Sequence, residues 1–119
     1  MISYNKYKNI KETYKGNTYD SRKELKRYKD LELLQKAHLI SELERQKRFI
    51  LQPSFTDNLG VKYRKIEYIC DFFYYDKKEH YYVAEDVKSS ATAKDKTYML
   101  KKKLFMYKYP NIVFKEIIW

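Results

Sequence analysis

A short polar break, Asp76-Lys77-Lys78-Glu79-His80, separates two runs dense in β-branched and aromatic residues, Val61 to Tyr75 and Tyr81 to Lys88. Runs of that composition read as strands. A break this short makes them antiparallel neighbours, because parallel pairing needs a crossover of a dozen or more residues. Upstream, Ile40 to Leu51 alternates, with Leu43, Arg45, Lys47, Phe49 and Leu51 on one side, until Pro53 ends or edges the strand. Asp57-Asn58-Leu59-Gly60 is turn chemistry, since Asn and Gly tolerate positive φ. The three runs form an antiparallel meander.

Helices flank the meander on both sides. Ser21-Arg22-Lys23-Glu24 has the Ser-x-x-Glu form of a capping box and predicts a helix from Arg22 to about His38. Leu25, Tyr28, Leu31 and Leu34 give it an apolar face, and Lys26, Lys29 and Lys36 point to water. Thr92-Ala93-Lys94-Asp95 predicts the start of a second helix that runs to about Tyr109, with Leu100, Leu104 and Tyr107, and Phe105 beside them, as its apolar face. Pro110 stops it. Ile112 to Trp119 is a fourth strand of buried composition. The helix between the third and fourth strands permits a right-handed crossover, which sets those strands parallel. The expected fold is α/β, in the order αβββαβ, with a mixed four-stranded sheet flanked by helices.

The first twenty residues interleave Tyr4, Tyr7, Tyr14 and Tyr19 with Lys6, Lys8, Lys11 and Lys15 and show no sustained period. Residues 1–20 therefore read as a basic, tyrosine-rich arm, either a solvated tail or a segment that lies on nucleic acid and stacks on its bases. Residues 21–119 read as one domain.

Charge narrows the function. Twenty-six Lys and Arg against 16 Asp and Glu leave +10 on 119 residues, a field that attracts phosphates. Nucleic acid is the first candidate partner and an anionic membrane the second. Two Gly, two Pro and an aromatic content of 18% exclude collagen-like, low-complexity and disordered classes. Cys70, the single cysteine, excludes an intramolecular disulfide and a Cys-rich zinc site, and suits a reducing cytosol. With no apolar stretch near the ~20 residues that span a bilayer, and no signal core at the start, the expectation is a soluble intracellular protein with no membrane partner.

The acidic residues of the meander carry the chemistry. A turn at Lys77 to His80 pairs Asp76 with Tyr81 and, counted back along both strands, Asp71 with Asp86 and Ile69 with Lys88. Carboxylates opposed at a Cβ separation of about 5 Å repel one another unless something positive lies between them. An all-oxygen donor set favours Mg²⁺ or Mn²⁺ over zinc. Lys88, on the same face as Asp86, is placed to orient a water or stabilise charge developing on a phosphate. The alternative is a strand-edge pair neutralised by nearby lysines, and a one-residue slip would put Asp71 against Glu85 instead. The apolar setting Ile69-Cys70-Asp71-Phe72-Phe73 favours the functional reading, since burial without a partner is costly. Glu24 lies within about 40° of Tyr28 and 20° of Leu31 around the helix, so it either completes this group or serves only the capping box. Cys70 reads as a buried small hydrophobe, and His38 and His80 as surface residues.

Glu24 on the first helix, Asp71 on the second strand and Asp86-Val87-Lys88 on the third, in the order αβββαβ, resemble the PD-(D/E)XK nuclease superfamily. The segments Ser21-Arg22-Lys23-Glu24, Ile69-Cys70-Asp71-Phe72, Glu85-Asp86-Val87-Lys88 and Lys103-Leu104-Phe105-Met106-Tyr107-Lys108-Tyr109-Pro110 are similar to small phage-type members described as Holliday-junction-resolvase-like endodeoxyribonucleases. The resemblance covers about Ser21 to Glu116. It implies a restriction-endonuclease-like core and metal-dependent phosphodiester hydrolysis. Asp71 and Asp86 would hold the metal with the Val87 carbonyl, Glu24 would add a ligand or bind a water, and Lys88 would position the attacking water. Arg22 and Lys23 on the first helix, with Lys101, Lys102 and Lys103 on the second, would bind backbone phosphates. Cys70 stands in place of the name-giving Pro, and Asp86 in place of the commoner Glu.

The expected activity is thus a Mg²⁺-dependent endodeoxyribonuclease on branched or structured DNA, acting in recombination as a homodimer, in the cytoplasm of a phage-infected or prophage-bearing bacterial host. The competing expectations are a non-catalytic nucleic-acid-binding module on the same fold, and an interaction protein whose basic face meets acidic partners.

Overall fold

The computed structural model describes residues 11–19 and 21–119. A small hairpin, β1 (Glu12–Tyr14) and β2 (Asn17–Tyr19), precedes helix α1 (Arg22–Lys36). Seven strands follow: β3 (Ile40–Arg45), β4 (Arg48–Gln52), β5 (Phe55–Thr56), β6 (Lys62–Tyr63), β7 (Ile66–Ile69), β8 (Phe72–Asp76) and β9 (Tyr81–Lys88). Helices α2 (Ser90–Ala93) and α3 (Lys96–Lys108) then lead to β10 (Ile112–Ile118).

The main sheet has the order β10-β9-β8-β3. Its β8–β9 hairpin adopts the expected register, from Asp76 opposite Tyr81 to Phe72 opposite Glu85. At the turn, Asp76 Oδ1 accepts the amides of Lys78 and Glu79, both at 3.0 Å, and His80 takes a φ of 62°. The crossover through α3 sets β10 parallel to β9, with Ile112 beside Tyr82 and Ile118 beside Lys88. The molecule is therefore mixed α/β, a four-stranded mixed sheet with helices on both faces. Among the described residues no helix is long and apolar enough to cross a membrane.

Two core clusters divide the faces. Leu31 of α1 packs with Phe72, Tyr74, Val83 and Val87, while Phe105 of α3 packs with Phe73, Ala84, Phe49, Tyr68 and Cys70. This division breaks the long strands expected at Ile40–Leu51 and Val61–Tyr75. Leu43 and Phe72 serve the α1 side, whereas Phe49 and Tyr68 serve the α3 side, and one straight hairpin cannot supply both layers. The chain forks instead. Gln46 takes a φ of 50°, its amide donates to the Asp71 carbonyl at 2.9 Å, and the Cys70 amide donates to the Lys47 carbonyl at 3.1 Å. Beyond the fork the hairpin continues as the β4–β7 and β5–β6 ladders to the Asp57–Gly60 turn, where Asp57 Oδ1 accepts the Leu59 and Val61 amides at 2.9 Å and Gly60 has a φ of 85°.

Three further expectations are corrected. Helix α1 stops at Lys36, short of His38, because His38 takes a φ of 61° and the amides of His38 and Leu39 close back on Gln35 and Leu34. The second helix is two helices, capped by Ser89 and by Asp95, whose side chains accept the Thr92 and Tyr98 amides. Its apolar face is not Leu100, Leu104 and Tyr107, which are 58, 42 and 88% exposed. Tyr98, Phe105 and Tyr109 face the sheet instead, the larger rings filling the space over Phe49, Tyr68 and Phe114.

The second half of the expected arm is also folded. Tyr19 is fully buried, with the Arg45 guanidinium 4.1 Å from its ring centroid, and Tyr14 and Tyr19 both pack against Tyr28. The Tyr19 ring is therefore closed to bases, Tyr14 is half-buried, and hairpin β1–β2 packs as part of the same unit as α1. Tyr4, Tyr7, Lys6 and Lys8 lie outside the described residues.

Candidate active site

The fork of the hairpin is where the acidic residues meet. Glu24 arrives from the first turn of α1, Asp71 sits at the fork itself between β7 and β8, and Asp86, Val87 and Lys88 end β9. Ser21 Oγ accepts the Glu24 amide at 3.1 Å, so half of the capping box forms. The Glu24 carboxylate turns towards the sheet, as its angle on the helix requires. It is 3% exposed and its Oε1 lies 3.9 Å from Arg45 Nη2.

Asp71 and Asp86 meet, but not as a flat cross-strand pair. The β8–β9 ladder ends at Phe72, because Asp71 bends away with the fork. The Asp71 amide donates to Asp86 Oδ1 at 3.0 Å, and the Val87 amide donates to Asp71 Oδ2 at 2.8 Å. Main chain thus locks the two carboxylates together. The expected pairing of Lys88 with Ile69 does not form, since Ile69 pairs with Arg48 across the ribbon.

Burial, followed by the charges of Asp86 and Glu24, pushes the Asp71 carboxyl up to about 8. Burial also raises Asp86, although Lys88 and the hydroxyl of Tyr68, which donates to Asp86 Oδ2, work in the opposite direction. Lys88 opposes the rise at both acids, so it is the cation that this group already shares. Its Nζ lies 5.1 Å from the centroid of the Tyr98 ring.

Access is uneven. A cleft of about 100 Å³ is lined by Ser21, Glu24, Asp71, Val87, Lys88, Ser89, Thr92 and Trp119. On the α3 side an adjoining groove of about 270 Å³ is lined by Asp86, Lys88, Tyr68, Tyr98 and Lys101, among others. Lys88 lines both. Asp86 forms part of the groove floor yet is fully buried, whereas Asp71 is half-buried.

The donor chemistry fits a hard divalent cation. Two adjoining carboxylates with raised proton affinity, one buried and one half-buried, are groups that a cation between them would return to the ionised form, and all their donor atoms are oxygen. Among the described residues no group of three Asp, Glu, His or Cys side chains is close enough to hold one ion. Glu24 lines the same cleft as Asp71, and its charge is felt there.

The basic residues expected on phosphates are dispersed around these clefts. Arg22 is exposed, with Nε 2.8 Å from Glu12 Oε1, and Lys23 and Lys103 are exposed. Lys101 is half-buried and lines the α3-side groove. Lys102 is engaged inside the fold, 3.0 Å from Glu116 Oε2 and 5.6 Å from the Phe114 ring centroid. Cys70 is fully buried, its thiol pushed by burial up to about 12, and His38 and His80 are exposed.

Sequence reasoning missed Tyr68 as the partner of Asp86. Strand β7 pairs with β4 and has no ladder with β9, so no count of register reaches it.

Comparison with curated proteins and with solved structures finds no match. A family model does cover residues 4–119, almost the whole chain. The protein accordingly belongs to the DUF1064 family, described as a protein of unknown function.

Proposed function

We propose that the protein is a divalent-metal-dependent endodeoxyribonuclease with a PD-(D/E)XK, restriction-endonuclease-like core, resembling the small phage-type junction resolvases and acting on branched or structured DNA. The observation that carries this reading is the meeting of Asp71 and Asp86 at the fork, tied by two main-chain hydrogen bonds and with Lys88 beside them. A fold gains little from burying two adjoining carboxylates, since burial raises the proton affinity of both and the Asp86 charge adds to the rise at Asp71.

On this reading Asp71 and Asp86, with the Val87 carbonyl, would hold Mg²⁺ or Mn²⁺, and Glu24 would reach it through a water. The bound cation would polarise the scissile phosphate and acidify the attacking water. Lys88 orients that water and stabilises charge developing on phosphate oxygens. Tyr68 and the Asp71 amide hold the Asp86 carboxylate in one orientation, so its geometry is set before substrate arrives. Arg22 and Lys23 on the α1 side, and Lys101 and Lys103 on the α3 side, hold flanking phosphates and fix position without reading sequence. Cutting two strands symmetrically needs two such sites, so the reading includes a homodimer.

The test is incubation of the protein with labelled junction, duplex and single-stranded DNA in Mg²⁺ or Mn²⁺. The expected result is metal-dependent nicking that Asp86→Asn abolishes in a folded protein. No cleavage of any form, or cleavage indifferent to that substitution, overturns the reading.

One observation favours a binding module without catalysis, namely the complete burial of Asp86 with both carboxylate oxygens already hydrogen-bonded. That module would bind DNA with a steep salt dependence and without regard to divalent metal.

A further inference from the structure

The base of the ribbon is packed, with Phe49 and Tyr68 in the core under α3, but its outer end is not. From Gln52 to Ile66 every residue is exposed except Asp57, which is half-buried at the turn. A packed domain rarely leaves this many large apolar side chains in water. Phe55, Leu59, Val61 and Tyr63 are 47, 84, 48 and 47% exposed. Phe55 and Tyr63 are cross-strand partners, and their rings stack at 5.1 Å with 15° between planes. The stack stiffens the ribbon without burying it.

The charges of the ribbon are also unspent. Arg48 and Lys65 pair with Glu67, at 3.6 and 2.8 Å. Lys62 and Arg64 are exposed and, among the described residues, enter no ion pair. Of the two acids that flank them in sequence, Glu67 is taken by Arg48 and Lys65, and Asp57 has its Oδ1 committed to two turn amides. Lys62 pairs with Thr56 across the ladder, one position from the ring pair and so on the opposite face of the strand.

We infer that the outer end of this ribbon, β5–β6 and its turn, is a DNA-binding wing that enters the groove of a duplex arm, with Lys62 and Arg64 on its phosphates and the Phe55–Tyr63 pair against the groove wall. The occupant is argued from charge and shape together. A two-stranded ribbon has the width that a major groove admits, its unpaired cations match phosphate, and a surplus of ten positive charges suits a polyanion. At about 3.3 Å per residue the ribbon has a contour of roughly 36 Å from Cys70 to Leu59, close to one helical turn of DNA. Its root is the fork, so a duplex held by the wing passes the cleft where Asp71 sits. The inference rests on the DNA-directed reading above and deepens it by naming how the substrate is grasped.

The experiment measures anisotropy of labelled duplex and four-way junction in EDTA, across a salt series, for the wild type, K62A/R64A, F55A/Y63A and the equal-charge control K77A/K78A. The control removes two exposed lysines from the β8–β9 turn, at the far end of β8 from the fork. K62A/R64A is expected to weaken binding at least tenfold and to lower the salt slope by about 1.8, the release expected from two phosphate contacts. F55A/Y63A is expected to weaken binding at an unchanged slope, and K77A/K78A to stay within about twofold of wild type. If wild type binds but K62A/R64A binds equally well, or the control falls as far, the wing is overturned and the nuclease reading stands. If the wing variants lose affinity while no DNA is cut, the wing stands and catalysis falls. Wild type that binds neither DNA overturns both.

Discussion

Glu85 and Asp86 are neighbours on one strand, both fully buried, and they face opposite layers. Glu85 points under α1, where Arg27 holds it with two hydrogen bonds, one of them 3.0 Å from Nη2 to Oε2, and the Tyr74 hydroxyl donates at 2.8 Å. Asp86 points towards α3, where a phenol and an amide hydrogen-bond it, and beside it sits Asp71, whose proton affinity is raised by burial first and by the Asp86 charge second. One carboxylate is matched by a guanidinium and belongs to the core. The other is hydrogen-bonded and shares the charge of Lys88 with a second acid, which marks it as part of a site. Burial alone distinguishes nothing here; the partner does.

Exchange of each acid for its amide tests that contrast most directly. Asp86→Asn is expected to cost at least ~10³-fold in cleavage, about 4 kcal/mol, with the thermal transition little changed, as read by a nicking assay beside a melting curve. Glu85→Gln is expected to do the reverse. It leaves Arg27 without its counter-charge and costs about 3 kcal/mol of stability by urea titration, at the low end for a broken buried pair because a quarter of the Arg27 side chain reaches solvent. Equal losses of stability in the two variants would erase the distinction.

Glu24→Gln sharpens the comparison, since Glu24 lies beside the acidic pair and near Arg45. Cleavage should fall about tenfold, ~1.4 kcal/mol, well short of Asp86→Asn; an equal loss would make Glu24 a direct ligand. The most gradual effect concerns pH. In the metal-free protein, folded Asp71 keeps its proton up to about 8 whereas the unfolded chain releases it near 3.8. The folded state binds more protons in that window, so stability declines as pH rises through it and levels off above. Asp86, also raised, adds a slope of the same sign. Asp71→Asn should flatten the melting temperature against pH, and an unchanged profile would mean that neither burial nor repulsion at the fork holds a proton on Asp71.

Where the chain obeys one local rule at a time, its sequence is readable. The register of β8 on β9 follows from a turn at Lys77 to His80, and the parallel β10 follows from the length of chain between it and β9. The fork is another matter. The inward residues from Leu43 to Leu51 alternate as expected, yet Leu43 serves one core cluster and Phe49 the other, and alternation carries no sign of which layer receives a side chain. Helix α3 fails for a related reason. Apolar residues occupy most of its sides, so periodicity has no preferred direction, and the choice of Phe105 over Leu100 and Leu104 falls to the shape of the cavity above the sheet. Tyr14 and Tyr19 read as arm residues because their partner, Tyr28, lies on another element.

By itself the sequence determined the pairing of β8 with β9, the turns, the helix start at Ser21 and the presence of acids and a lysine at the ends of particular strands, because hydrogen-bond spacing and backbone preference act over a few residues. Only the tertiary structure decided which buried acid is neutralised and which is left to share Lys88. Arg27 reaches Glu85 across 58 residues and Tyr68 reaches Asp86 across 18, and Coulomb energy and desolvation depend on distances in space that no local rule records.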